Sequence, residues 1–156
     1  MNLYKSGEDY LEAILILSHQ KGSVRSVDVA DYFNYSRASV SHAVSLLQEG
    51  GFLLINGDKT LLLTPLGLAE ANRVYERHCI LKELLIGLGV TPEVAAQDAC
   101  EIEHVISQEA FHCIKAAFSR SKAKERAVTG RPPHWNSPCN TSQPLEDTSP
   151  HTAQVG

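Results

Sequence analysis

Residues 53–64, LLINGDKTLLLT, place two short β-prone runs on either side of Asn56-Gly57-Asp58, a pattern that specifies a β-hairpin. What precedes it reads as three helices. SGEDYLEAILILSHQKG starts at Ser6 as N-cap, carries Glu8 and Asp9 in its first turn and ends at Gly22. SVDVADYFN is a short helix capped at Ser26 or its neighbour. YSRASVSHAVSLLQEGGF starts a further helix at Ser36 and stops at Gly50-Gly51. Two short helices joined by a tight turn and followed by a hairpin make a winged helix-turn-helix over residues 1–64. A helix that opens on small polar residues suits a major groove, so Ser36, Arg37, Ala38, Ser39, Ser41 and His42 are the candidate base-reading positions. Arg25 and, in the wing, Lys59 are placed to reach phosphates. Each of these also reads as solvated surface. Serines and an alanine offer few bidentate base contacts, which favours readout by shape and by methyl contact.

Residues 65–118 are helical throughout. Pro65 opens a long helix that Gly87 and Gly89 stop, and Thr91-Pro92-Glu93 starts the next. These helices are too few for a core of their own, so they are expected to pack on the first region and on a second subunit. From Ser119 the composition changes: five of the seven prolines lie between Pro132 and Pro150, among polar residues. Residues 119–156 are therefore expected to form a disordered tail. Its His134, Cys139 and His151 have no ligand spacing.

The 156-residue chain carries a net charge of −4, which gives no basic signature for nucleic acid or anionic membrane. Its start lacks the apolar segment of a signal peptide, and no run approaches the roughly 18 apolar residues of a spanning helix. Four cysteines without a CxxC pair favour a reducing cytosol. A cytoplasmic protein without a membrane partner is expected.

The chemistry gathers in ACEIEHVIS. On a helix, Cys100, Glu103 and His104 share a stripe roughly 100° wide, opposite Ile102, Val105 and Ile106, where a core-facing stripe belongs. Alone, the stripe reads either as a solvated face with an incidental cysteine or as half of a metal site. Asp9 and Glu12 lie three apart on one face of the first helix, and His78 sits on the long helix. Two carboxylates, a histidine and Cys-x-x-Glu-His, each on its own helix, form a set that favours the metal reading. A hydrolase is disfavoured: HExxH, a nucleophile elbow and a glycine-rich phosphate loop are all missing from the sequence. No enzymatic activity and no small-molecule substrate are expected.

SGEDYLEAI, VRSVDVADYFNYSRASVSHAVSLLQEGG, LTPLG, ERH and DACEIEHVIS resemble, in order, the diphtheria-toxin-repressor and manganese-transport-regulator family of bacterial metal-dependent repressors. The resemblance covers about residues 5–118. It implies a mainly α protein: a winged helix-turn-helix, then an all-α metal-binding and dimerisation domain. It further implies a homodimer that binds Mn(II) or Fe(II), one or two ions per subunit, and then double-stranded operator DNA. The ligands it implies are Asp9, Glu12, His78, Cys100, Glu103 and His104. The DxxE pair resembles the manganese branch and Cys100 the iron branch. The iron branch's ancillary site does not carry over, because Lys82 stands where its carboxylate would be and Glu83 is one step out of phase. Residues 1–118 hold 9 Lys and Arg against 15 Asp and Glu, a balance of −6 that opposes DNA binding. Cations among Asp9, Glu12 and Glu103 would remove that local charge and tie the first helix to the dimerisation helices. The alternative is a metal-independent winged-helix transcription factor, whose DNA affinity would ignore a chelator.

Overall fold

The computed structural model describes residues 5–129. The order is α1 (Lys5–Lys21), α2 (Ser26–Phe33), α3 (Arg37–Glu49), β1 (Leu53–Ile55), β2 (Leu61–Leu63), α4 (Pro65–Gly87), α5 (Pro92–Val105) and α6 (Gln108–Thr129). The expected winged helix-turn-helix is present, followed by an all-α region.

α1 is the hub. Tyr10 through Leu17 are all buried, so this helix is covered on every side along its middle turns. Leu11, Ile14 and Leu15 meet Val29 and Ala30 of α2, Val40, Val44 and Leu47 of α3, and Leu53 and Leu61 of the hairpin. The far side of α1 packs on α4, and α5 packs along α4 in turn. α1 therefore belongs both to the reading head and to the helical region behind it.

Local chemistry sets the element ends. The α2 N-cap is Arg25: its backbone N–H donates to Asp28 Oδ2 at 2.8 Å, the carboxylate half of a capping box, while its side chain makes no cap bond. Ser36 caps α3, its Oγ accepting from the Ser39 N–H at 3.1 Å. Thr64 caps α4, with Pro65 in the first turn. Ser6 lies inside α1 rather than capping it. β1 and β2 pair antiparallel with Leu53 opposite Leu63, and the Leu61 N–H donates to Val24 O at 2.8 Å, pinning the wing to the α1–α2 loop. The connection spans residues 56–60. Lys59, not Gly57, takes the positive φ, at 67°. The long helix leans directly on the wing: a Cβ on Gly67 would lie 1.8 Å from Phe52 O.

Two expectations change. α6 continues to Thr129, so the tail does not begin at Ser119. SRSKAKERA is rich in Ala, Lys, Glu and Arg, whose helix propensity sustains the helix where the drop in apolar content suggested its end. The remainder of that segment, residues 130–156, lies outside the described residues. On α5 the buried face is Ala95, Ala99 and Glu103, at i, i+4 and i+8, whereas Val105 is 80% exposed. The face carrying Cys100, Glu103 and His104 is thus the one turned into the protomer. No helix among the described residues is long and apolar enough to cross a membrane.

Candidate metal centre and nucleic-acid interface

α1, α4 and α5 bring all six implied ligands together. Asp9, Cys100, Glu103 and His104 each offer a donor atom within 4.8 Å of the others'. Glu12, His78 and Glu103 form a second such group, so the two meet at Glu103. Glu103 is 0% exposed and Glu12 and His78 are buried, while Asp9 and Cys100 are half-buried. His78 Nδ1 is 2.9 Å from Glu103 Oε2, and His104 Nε2 is 2.7 Å from Asp9 Oδ1 and 3.3 Å from Glu103 Oε1.

Burial, reinforced by the charge of Glu103, pushes the Glu12 carboxyl up to about 7. Burial lowers His104, but its contacts with Asp9, Cys100, Glu103 and Glu8 outweigh that and hold the imidazolium up to about 12. Contact with His104 pulls the Cys100 thiol down, yet burial and the carboxylates of Glu103, Asp9 and Glu12 carry it above its ordinary value. Without a cation, a proton on Glu12 and a charged His104 offset part of the negative charge.

The donors fit a divalent cation. Glu12 Oε1, Glu103 Oε1 and His104 Nε2 are buried and lack an aligned hydrogen bond among the described residues, Nε2 being matched only by its charge contacts with Asp9 and Glu103. Such atoms are costly unless something compensates them, and these three belong to the same cluster. Carboxylate, imidazole and one thiol are ligands for first-row divalent metals.

Sequence reasoning missed the supports around this cluster. His104 Nδ1 is 2.6 Å from Glu8 Oε2, and the Arg73 guanidinium donates to Glu8 Oε1 at 2.6 Å. Arg77, buried on α4, donates through Nη1 to Glu103 O at 2.9 Å and to Ile106 O at 3.3 Å. Its Nη2 reaches Gln108 Oε1 at 2.6 Å, and its guanidinium lies over the Phe111 ring. It thus satisfies carbonyls at the end of α5 and fixes the α5–α6 turn. The available signal was weak: Arg73 and Arg77 share a helix face one turn apart, which also describes ordinary surface arginines.

The candidate DNA-contacting residues lie on the opposite side of α1. Ser36, Arg37, Ala38, Ser39, Ser41 and His42 are exposed at the start of α3, as are Arg25 and Lys59. Ser36 Oγ is already engaged, capping α3 and meeting Ser39 Oγ at 2.8 Å.

Comparison with known proteins places these features in a family. The profile described as "Iron dependent repressor, N-terminal DNA binding domain" matches residues 2–61. "Iron dependent repressor, metal binding and dimerisation domain" matches residues 64–126. The transcriptional regulator MntR of Salmonella typhimurium is 36% identical over 109 residues, covering 70% of this chain and 69% of that protein. The HTH-type transcriptional regulator MntR of Listeria monocytogenes is 36% identical over 102 residues, covering 65% of this chain and 72% of that protein. Among solved structures, the manganese regulator SloR matches with a TM-score of 0.66 at 25% identity, over 76% of this chain and 55% of that one. IdeR of T. acidophilum matches with a TM-score of 0.63 at 26% identity, over 76% and 55%. The chain thus spans little more than half the length of these two structures. Matched by family profiles across both its reading head and its helical region, the chain belongs to the iron-dependent repressor family of metal-dependent transcriptional regulators.

Proposed function

We propose that this protein represses transcription as a homodimer that binds operator DNA when Mn(II) or Fe(II), one or two ions per subunit, is held by Asp9, Glu12, His78, Cys100, Glu103 and His104. The observation that carries this reading is the convergence of donor atoms from α1, α4 and α5 around buried, unsatisfied oxygen and nitrogen atoms. Two donor groups meeting at Glu103 support a count of one or two. Carboxylates and imidazoles suit both metals, and a thiolate moves the balance toward Fe(II). When bound, the cation supplies the positive charge that lets these acids be ionised side by side.

The residues themselves provide the coupling. Asp9 and Glu12 lie on the helix whose opposite face, Leu11, Ile14 and Leu15, is the core of the reading head. Drawing those carboxylates toward α4 and α5 fixes the head relative to the helices behind it. In a two-fold dimer that fixes the spacing of two α3 helices, each presenting Ser36, Arg37, Ala38, Ser39, Ser41 and His42 to a half-site, with Arg25 and Lys59 on phosphates. Leu88, just past α4, and Val94 and Val105, near the two ends of α5, are exposed apolar side chains that a subunit contact would cover. The division of labour falls near Thr64: residues 1–64 read DNA and lend Asp9 and Glu12 to the metal, while those from Pro65 supply its other ligands and dimerise.

The test is fluorescence anisotropy of the protein's own promoter fragment, without oxygen, with Mn(II), Fe(II) or Zn(II) added in turn and then removed by chelator. Tight binding that appears with metal and disappears with chelator is expected. Affinity indifferent to both would overturn the proposal in favour of a metal-independent regulator.

A further inference from the structure

We infer that Glu8 is a positioning residue of the metal centre, holding the His104 ring by Nδ1 so that Nε2 faces the donor cluster. The inference rests on the proposed metal site and deepens it.

An imidazole presents a lone pair to a cation from one nitrogen only, and the partner of the other nitrogen decides which. In His104 the two nitrogens face different surroundings. Nε2 points among Asp9 Oδ1, at 2.7 Å, and Glu103 Oε1, at 3.3 Å, without an aligned hydrogen bond. Nδ1–H donates to Glu8 Oε2 at 2.6 Å. Glu8 stands outside both donor groups, so its carboxylate acts through His104. The contact is well sheltered, the His104 side chain being 3% exposed and that of Glu8 13%.

Glu8 is itself oriented. Arg73 Nη2 donates to Glu8 Oε1 at 2.6 Å, which leaves Oε2 for the histidine. Arg73 is fixed in turn by Glu70, accepting from its Nε at 3.1 Å and from the same Nη2. A chain of charge-assisted contacts therefore runs from α4 through α1 to α5, ending on a ligand ring. Carboxylates that accept the second N–H of a ligating histidine fix its tautomer and raise its basicity, and their loss costs roughly 10–100-fold in metal affinity.

The test compares the full chain with Glu8→Ala, Glu8→Gln and Glu103→Gln by Co(II) titration, thermal unfolding of the metal-free proteins, and 15N NMR of the Zn(II)-loaded proteins. Glu8→Ala should weaken Co(II) binding by roughly 10–100-fold. Glu8→Gln should recover part of the loss, because its amide oxygen still accepts from Nδ1–H and its shape is conserved. The spectrum of the wild type should show a protonated Nδ1 and a metal-bound Nε2 at His104. Glu8→Ala with wild-type Co(II) affinity, or a metal-bound Nδ1, overturns the inference. So does a loss of Co(II) affinity in Glu8→Gln that equals that of Glu8→Ala and tracks a lowered metal-free unfolding midpoint, since Glu8 would then only brace Arg73. Glu103→Gln separates the two readings: if it too binds Co(II) like wild type, the metal site fails. If it alone loses binding, only the role of Glu8 fails.

Discussion

His78 Nδ1 of α4 and Glu103 Oε2 of α5 stand 2.9 Å apart with both side chains out of solvent. Glu103 also approaches His104 and belongs to both donor groups. One carboxylate thus links the two halves of the centre, at the cost of burial beside Glu12. Replacing it should separate metal binding from folding. Glu103→Gln is expected to abolish metal-dependent operator binding while leaving the metal-free protein folded, because the like-charge contact it relieves with Glu12 is offset by the contact it weakens with His104. Mn(II) at about 100 times its Kd should stabilise the wild type by ~2.7 kcal/mol and leave the variant unmoved. Calorimetry with and without Mn(II) measures both.

The metal-free protein should lose stability as pH rises. The Glu12 carboxyl titrates at about 7 when folded, against 4.5 for an ordinary glutamate. Between those values the folded state holds a proton that the unfolded chain has released. The associated stability is full below pH 4.5 and is lost as pH rises through 7. His104, held up to about 12 from 6.5, works in the same direction, its contribution declining above pH 6.5. The melting temperature of the chelated protein should therefore fall from pH 4.5 to 7, and Glu12→Gln should flatten that part of the profile. Metal affinity should rise over the same range, since binding displaces the proton.

Gly67 should tolerate no side chain. Its Cβ would fall 1.8 Å from Phe52 O, a backbone atom that cannot move without dragging the wing. Gly67→Ala should destabilise by about 1–3 kcal/mol through overpacking. Gly57, with nothing within 4 Å, supplies the control: Gly57→Ala should melt like wild type.

Parts of the candidate site were legible because their residue types and helical spacings are local: Asp9 and Glu12 at i,i+3, Cys100, Glu103 and His104 within one turn; the six as one ligand set, with His78, were implied by the family resemblance. The orientation of α5 was not legible. Ile102, Val105 and Ile106 carry more hydrophobicity than Ala95 and Ala99, so periodicity pointed the wrong way. Small alanines let α5 approach α4 closely, while Val105 is left outside the protomer. Glu8 was hidden for a different reason: its partner His104 is 96 residues away, and a first-turn glutamate already has a sufficient local explanation in the helix dipole. The wing turn was legible as a turn, but the left-handed residue fell on Lys59 because the loop is longer than Asn56-Gly57-Asp58 alone implies.

Phosphate contacts should be countable. Arg37, Arg25 and Lys59 are exposed cations at the start of α3, beside α2 and in the wing, on a chain of net charge −4. Replacing any one by Ala should lower the slope of log K against log salt by about 0.9 in the Mn(II)-loaded protein. A slope unchanged by all three substitutions would place the DNA on another surface.

Cys100 should set metal preference. Its thiol is half-buried, held above its ordinary pKa despite contact with His104, and lies among Asp9, Glu103 and His104. A divalent cation that engages it must displace the proton and gains a soft ligand, which favours Fe(II) and Co(II) over Mn(II). Cys100→Glu makes the donors all oxygen and imidazole, so Mn(II) should gain relative to the softer metals. Cys100→Ser should weaken activation by Co(II) by at least the roughly 10–100-fold that loss of an outer partner costs, with metal-free melting nearly unchanged. Co(II) reports the bond directly, because a cobalt–thiolate pair absorbs intensely in the near ultraviolet. Wild type should show that band and Cys100→Ser should not. Identical spectra and identical operator affinities would make Cys100 a packing residue, leaving Asp9, Glu12, His78, Glu103 and His104 to hold the metal without it.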